Sequence, residues 1–419
     1  MNRILGLDIG RSFAIGVVLE EHPENLKAWY KENKEQFWKL EPNREGAEKF
    51  LELNPTEIVL EPTGYWYSSF WYRLAKANNI KVNWCGHRDA HRMRGVHGFP
   101  NKNDYTDALV LAASYFNTHL VDEHGRKRYL THYLPEEITR VRELFYATEQ
   151  LDKIRNTLVN QLRQRLSQEF PEIADYSMTR QGKYDYSPSI GWIAGIRDHK
   201  KLDNLWNKSK SKELGLRLSK YTQEHAKKII EIEEQQTRHE AELDIELNKE
   251  IFLEYIRVFD LFGFGRTLKT ILLLNCYPFE RFLVNGKEDI EHGSSKDGKR
   301  TTKNKSLRDF QAFLGMSKSF EISGTSVNKS TFHGSKQIRS HLYIFAMARL
   351  AVGKSRRVNT PLGEKLGETY EELRNKGIHG KDAVIRTLYK LTRYLYKELR
   401  ETTKKSIEEK FKEVPKDIK

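Results

Sequence analysis

Hydrophobic and polar positions follow two different rhythms along this chain. Over residues 1–117 the rhythm changes every few residues. Arg3–Ile9 is a short apolar run, and Phe13–Leu19 is a second one beyond the tight turn Gly10-Arg11-Ser12. Two such runs across a glycine-containing turn predict a β-hairpin. Glu45–Leu53 has a helical pattern, and Glu57–Leu60 (EIVL) predicts a buried strand that ends on Glu61. Tyr65–Asn78 predicts an amphipathic helix, Ile80–Trp84 another strand, and a further apolar helix opens at Asp104. Strands alternating with helices predict an α/β layer.

Beyond this region the period is helical. Glu136–Phe170 repeats Leu144, Leu151, Ile154, Leu158 and Leu162 at three- and four-residue steps. Residues 217–259 predict a second long helix, with Ile229, Ile232, Leu243, Leu247 and Ile251 as its stripe and a polar connection over Tyr184–Asp203 before it. The pair suits an antiparallel coiled-coil hairpin or, equally, helices packed in a globular bundle. An apolar helix follows over Leu268–Leu274. The polar insert Asn285–Lys305 has almost no apolar residues and is expected to be flexible, or ordered only by a partner. Ser306–Gly315, Ser335–Leu350 and Ala383–Leu399 predict helices, and the lysine-rich tail is expected to fray. The fold class is therefore α/β plus α: an α/β domain over 1–130, a long-helix region over 131–259, a mainly helical domain over 260–400 and a basic tail over 401–419.

Length and charge narrow the picture. At 419 residues the chain exceeds one core of usual size, so two or three domains are expected. Lys and Arg number 72 against 58 Asp and Glu, a formal net charge of +14. That excess suits a polyanionic partner, because each neutralised phosphate releases a counterion. A merely soluble basic protein is the alternative. Cys85 and Cys276 lie far apart, which excludes a disulfide framework and favours a reducing compartment. The opening MNRILGLDIG is a short apolar run holding an aspartate, unlike a signal peptide, and no stretch approaches membrane-spanning length. A soluble, cytoplasmic protein with no membrane partner is expected.

Placed on these elements, four carboxylates become neighbours. Asp8 ends the first strand, Glu61 ends another, and Asp104 and Asp107 open a helix one turn apart, able to project from one face. Gly6 and Gly10 flank Asp8 and permit close approach by another backbone or a ligand. Buried like charges repel, so such a cluster needs cations. Two Mg²⁺ ions roughly 4 Å apart would neutralise it and clamp a scissile phosphate from both sides. The alternative is that Asp104 and Asp107 only complement the helix dipole. LGLDIG before a second strand also resembles the phosphate-binding hairpin of the sugar-kinase and actin superfamily. A kinase would need a second glycine-rich phosphate loop in another α/β domain, and the helical remainder offers none.

Other residues invite chemistry less strongly. Cys85, His87 and His91 lack the further ligand a zinc site needs. Tyr65, Trp66, Tyr67, Phe70, Trp71 and Tyr72 suit base stacking or packing on a sheet. Arg88, Arg92 and Arg94 precede the acidic helix and are candidates for nucleic-acid backbone contact, or for a solvated face. Gly263-Phe264-Gly265-Arg266 before a helix resembles a helix–hairpin–helix element, whose backbone N–H groups grip phosphate; a simple turn is the alternative. In Glu321–Leu350, Ser323, Thr325, Ser326, Ser330, Thr331 and Ser335 crowd around Lys329, His333, Lys336 and Arg339. A serine on a glycine turn beside phosphate-holding cations can be a nucleophile on phosphorus, or part of a loop touching DNA backbone.

Five of these stretches, in order, bring a family into view. ILGLDIGRSFAIGVVLE, IVLEPTGYWYSSFWYRLAKANNIKV, NKNDYTDALVLA and the later pair FDLFGFGRTLKTILLL and EISGTSVNKSTFHGSKQIRSHLYIFAMA resemble the motifs of the DEDD transposases of the insertion-sequence 110 family, the Piv-like recombinases guided by a bridge RNA. The resemblance implies a RuvC/ribonuclease H-like catalytic domain, a coiled coil and a C-terminal transposase domain. It implies that Asp8, Glu61, Asp104 and Asp107 bind Mg²⁺ and that Ser323 forms a phosphoserine bond with cut DNA. Its partners would be donor and target DNA, a bridge RNA and further copies of the chain, a dimer assembling to a tetramer, with acids and serine from different protomers. Glu321-Ile322-Ser323-Gly324 is one residue longer than the family's Glu-Ser-Gly, which leaves Ser323 and Ser326 as alternative nucleophiles. The insert 285–305 and the segment 171–216 exceed the usual family length and could extend nucleic-acid contacts. A RuvC-like nuclease that hydrolyses DNA or RNA without a covalent intermediate is the alternative function, and a non-catalytic nucleic-acid-binding protein is a third.

Overall fold

The computed structural model describes residues 2–62, 64–99, 101–117, 121, 130–132, 137–180, 184–294, 298, 300–323 and 326–413, with the side chains of 64–66, 88, 131–132, 318–323, 326–333 and 405–413 outside the description. The chain divides into two compact units, Met1–Leu134 and Pro135–Lys419.

The first unit is mixed α/β. Its strands are β1 (Ile4–Ile9), β2 (Ala14–Leu19), β3 (Phe37–Leu40), β4 (Glu57–Leu60), β5 (Lys81–Cys85) and β6 (Leu130–His132). They form one sheet in the order β3-β2-β1-β4-β5-β6. β1 pairs antiparallel with β2 and parallel with β4, and β4 pairs parallel with β5. The helices are α1 (Leu26–Glu32), α2 (Arg44–Glu52), α3 (Gly64–Ala77), α4 (His87–Val96) and α5 (Asp104–Tyr115). Strand side chains alternate between faces. Leu5, Leu7, Ile58 and Leu60 therefore pack with Phe50 of α2 and Trp71 and Tyr72 of α3 on one face. Ile4 and Val59 pack on the other with Ala90 of α4 and Leu111 of α5. Trp71 and Tyr72 are thus core residues, while Tyr67 is 46% exposed.

The second unit is mainly helical. α6 (Glu137–Glu169) and α10 (Lys220–Leu247) lie antiparallel, as their cross-pairs show: Arg140–Glu242 and Arg155–Glu233, both at 2.6 Å, then Glu169 accepting from Ser219 and Thr222. The expected single helix over 217–259 breaks at Asn248–Lys249, and α11 (Glu250–Leu261) starts anew. Two expected stripe positions, Ile154 and Ile251, are exposed. At the first, the neighbouring Arg155 takes the inward position to meet buried Glu233, which turns Ile154 outward; at the second, the helix break resets the phase. The connection expected as polar chain forms α7 (Pro188–Ile193), α8 (Lys200–Asn207) and α9 (Lys210–Glu213). These add Ile190, Ile193 and Leu202 to a small core with Leu162, Leu166 and Phe170, so the hairpin ends in a globular helical cap.

The rest holds α12 (Arg266–Cys276), β7 (Ile290–Ser294), β8 (Arg300–Asn304), α13 (Lys305–Phe313), β9 (Ser317–Ser323), β10 (Ser326–His333), α14 (Lys336–Arg349), α15 (Pro361–Asn375) and α16 (Gly380–Glu413). Phe279, Phe310 and Tyr396 form an aromatic cluster at its core. The insert 285–305 is not simply flexible chain: β7 and β8 pair as an antiparallel hairpin. Glu288 anchors it, accepting from Asn304 and Arg400, both at 2.6 Å. The tail is helical to Glu413 as the continuation of α16, whose inward residues up to Leu399 hold it in place. Among the described residues no helix is long and apolar enough to cross a membrane.

Candidate functional site

The two central strands of the sheet each lead to a carboxylate. Leu7 of β1 lies beside Leu60 of β4 in the last parallel pair, so Asp8 and Glu61 occupy the next step along the two chains. Leu7 and Leu60 face α2 and α3, and alternation therefore turns Asp8 and Glu61 to the opposite face, where α5 lies. Gly6 shares that face. A Cβ there would stand 2.1 Å from the Ala108 carbonyl oxygen and 2.5 Å from the Ala112 nitrogen, so α5 rests directly on the β1 backbone. Alanines at 108 and 112 match that close approach from the helix side. Gly10 serves the hairpin turn, donating its N–H to Phe13 O at 2.9 Å.

Asn103 starts α5 by accepting the Tyr105 N–H at 2.9 Å, which puts Asp104 and Asp107 in the first turn. The four predicted carboxylates thus stand at the ends of β1 and β4 and in the first turn of α5, and the charges of the other three act on Asp8. Its pKa is raised to about 7 by burial first, then by the negative charges of Asp104, Asp107 and Glu61, against a smaller opposing effect of Lys102. Asp107 accepts both oxygens' worth of hydrogen bonds from Arg94 Nη1, at 2.8 and 2.7 Å. His87 Nδ1 donates to Glu61 Oε2 at 2.8 Å. Asp104 is exposed. Glu57, at the other end of β4, is a useful contrast. Burial pushes its pKa up, but hydrogen bonds from Asn83 and Tyr115 and the Lys81 charge more than offset this, so it is held below its ordinary value. Glu57 has the partners of a structural carboxylate, and among the described residues Asp8 has no such set.

A set of carboxylate oxygens suits hard divalent cations such as Mg²⁺ or Mn²⁺. Asp8, half-buried among like charges, would gain from such an ion. Among the described residues no three His, Cys, Asp or Glu side chains already form a ligating group. Arg94 and His87 hold Asp107 and Glu61 through hydrogen bonds instead.

Sequence reasoning weighed His87 only as an incomplete zinc ligand, not as the partner of Glu61, and did not single out Lys102, whose charge acts on Asp8. His87 begins α4 just after β5 ends, and the parallel register of β4 and β5 delivers it to Glu61. Cys85 is buried and its thiol is pushed up to about 12, first by burial and then by Asp89 and Glu61, so it offers no thiolate.

The remaining candidates scatter. Arg92 is largely exposed, 3.9 Å from Asp89, and the Arg88 side chain lies outside the described residues. Gly263 ends α11 with φ of +67°, its Cα face against Val358, and Gly265 caps α12 with open space around it. Arg266 pairs with Asp244 at 2.7 Å and Glu240 at 2.9 Å. Ser323 and Ser326 face each other at the end of the β9–β10 ribbon, whose register shifts between Val327 and Lys329. The side chains of Ser323, Ser326 and Lys329 lie outside the described residues, as do Gly324 and Thr325 altogether. Lys336 is exposed at the start of α14, and Arg339 donates to Gly315 O at 3.1 Å beside a cavity lined by Met316, Tyr343 and Ile344.

No protein-family model matches this chain, and no curated protein does either.

Proposed function

We propose that this protein is a Mg²⁺-dependent DNA transposase or recombinase that cuts and rejoins strands by attack of a serine on the scissile phosphate, directed by a bridge RNA. The observation that carries the reading is the convergence of Asp8, Glu61, Asp104 and Asp107 on one face of a mixed sheet, with Asp8 held up to about 7. A mixed sheet whose two central strands lead to carboxylates also supports a RuvC-like assignment. The net charge of +14 and the basic residues of α4 favour a nucleic-acid substrate. The cytoplasm, donor and target DNA, and further copies of the chain complete the reading.

Asp8, Glu61, Asp104 and Asp107 would hold two Mg²⁺ ions, which when bound neutralise the cluster and polarise a phosphate. The Ser323 hydroxyl would attack phosphorus. One Ser323 Oγ–P bond forms, one P–O bond of the strand breaks, and the departing strand oxygen takes the proton the serine gives up. Attack on the phosphoserine by another strand's hydroxyl reverses these changes and frees Ser323. The second reading is a hydrolytic nuclease that needs only the four carboxylates, all of which belong to the first unit.

The test is incubation of the protein with Mg²⁺, its flanking-element RNA and labelled donor DNA, comparing wild type with Ser323→Ala and Ser326→Ala. A denaturant-stable protein–DNA adduct that disappears in one serine variant supports recombination and identifies the nucleophile. Cleavage without an adduct, equal in all three proteins, supports the nuclease. No cleavage difference between wild type and an Asp8→Ala variant would refute both.

A further inference from the structure

Among the described residues, Arg94 holds Asp107 more completely than any other group holds a carboxylate of the cluster. Nη1 lies 2.8 and 2.7 Å from the two carboxylate oxygens, and the two side chains are only 12% and 13% exposed. Arg94 sits in the last turn of α4, so the contact spans two helices and is built into the packing of this face. A guanidinium is always charged, and its planar fork suits carboxylate or phosphate equally well. Arg94 already takes one hydrogen bond at each Asp107 oxygen, and an ion at this carboxylate would meet the repulsion of a fixed positive charge at hydrogen-bond distance.

We propose that Arg94 occupies the Asp107 ligand position as an internal cation, and that a divalent ion must displace it. The proposal rests on the metal-site reading above. Asp104, exposed and one turn earlier, is the open point of entry, and Asp107 is the ligand recruited last. Arg94, once released, keeps its short tether to α4 and needs a new anion. A phosphodiester brought to the same site supplies one in the geometry the fork prefers. Arrival of the ion and arrival of the phosphate thereby favour each other, since linkage between two ligands is reciprocal.

The experiment measures Mn²⁺ binding to the full-length protein by calorimetry and by the electron paramagnetic resonance of free Mn²⁺, for wild type, Arg94→Gln, Arg94→Lys and Asp107→Asn. Arg94→Gln is expected to bind Mn²⁺ roughly tenfold more tightly than wild type, Arg94→Lys to fall between them, and Asp107→Asn to bind more weakly. On the wild-type protein, the Arg94 Nε–H resonance, assigned by its loss in Arg94→Lys, is expected to move on saturation with Mg²⁺. Should Arg94→Gln fail to fold, this wild-type resonance decides alone. Equal Mn²⁺ affinity in both folded Arg94 variants, or an Arg94 resonance that stays in place at saturating Mg²⁺, overturns the internal-cation proposal and leaves the metal site standing. No Mn²⁺ binding by wild type or any variant overturns the metal-site reading itself, and this proposal with it.

Discussion

Gly6→Ala tests how the carboxylates are brought together without touching any of them. The new Cβ would stand 2.1 Å from Ala108 O, 2.5 Å from Ala112 N and 2.9 Å from Ala112 Cβ. Two of these are backbone atoms of α5, so no side-chain rotation relieves the overlap. Reaching ordinary contact requires α5 to retreat from β1 by more than about 1 Å. Overpacking of this kind costs about 1–3 kcal/mol, a large share of a domain's net stability of about 5–15 kcal/mol. The same retreat carries Asp104 and Asp107 away from Asp8. Their charges then act on Asp8 from further off, its pKa falls toward the ordinary carboxylate range, and the proposed divalent ion would lose its gathered ligands. The control is Gly95→Ala on α4, where a Cβ meets nothing within 4 Å. That change should be neutral or stabilising by up to about 1 kcal/mol, because alanine is the better helix former. Urea titrations and Mn²⁺ calorimetry on both variants check the pair. If Gly6→Ala matched Gly95→Ala in stability and bound Mn²⁺ as wild type does, close approach at Gly6 would not be what assembles the cluster.

Three further outcomes are expected. Asp8 has a folded pKa of about 7 against an ordinary value of 3.8, so the native state keeps a proton that the unfolded chain has already released. Its contribution is therefore most favourable below the ordinary carboxylate range and is lost as pH rises toward and through 7, by up to roughly 4 kcal/mol; urea midpoints in chelator at pH 5 and pH 8 should drop in wild type and stay more nearly level in Asp8→Asn. Glu233 is fully buried and accepts from Arg155 Nε at 2.7 Å and from the Ser187 N–H at 2.6 Å. Glu233→Ala leaves both donors without it and should cost about 3–5 kcal/mol, read as faster amide exchange across 184–206. Deleting 287–304 should weaken nucleic-acid binding in a filter assay while circular dichroism and expression stay unchanged; undiminished binding would remove the β7–β8 hairpin from the interface.

The parts of this fold legible in the sequence are those with a strong local rule. The β1–β2 hairpin, β4 ending at Glu61, and α5 with Asn103 at its cap follow from alternation, an apolar run and an N-cap residue. What escaped depends on partners distant in sequence. β7 and β8 (IEHGS and RTTKN) carry no apolar alternation, because neither face is buried; backbone pairing and the Glu288–Arg400 contact hold them. α4 (HRDAHRMRGV) has so polar a composition that it reads as a basic patch, yet Ala90 and Met93 are its buried side. The break at Asn248–Lys249 has no proline or glycine to announce it. At the site, four acids could be matched to strand ends and a helix start. His87 and the partner of Arg94 could not, since both follow from strand register and helix packing.

The pairing of Asp107 with Arg94 and of Glu61 with His87, beside an Asp8 able to keep its proton near neutral pH, has a consequence for the life history of the molecule. Repulsion among the four acids is already relieved by groups that the chain itself encodes. Small metal-dependent domains lie unfolded until their ion arrives, because the ion supplies the folding energy. Here the polypeptide can leave the ribosome, mature and persist with the acids quiet. If the proposed function holds, an ion that arms an already finished protein would separate manufacture from use, and its removal would disarm the protein reversibly rather than destroy it.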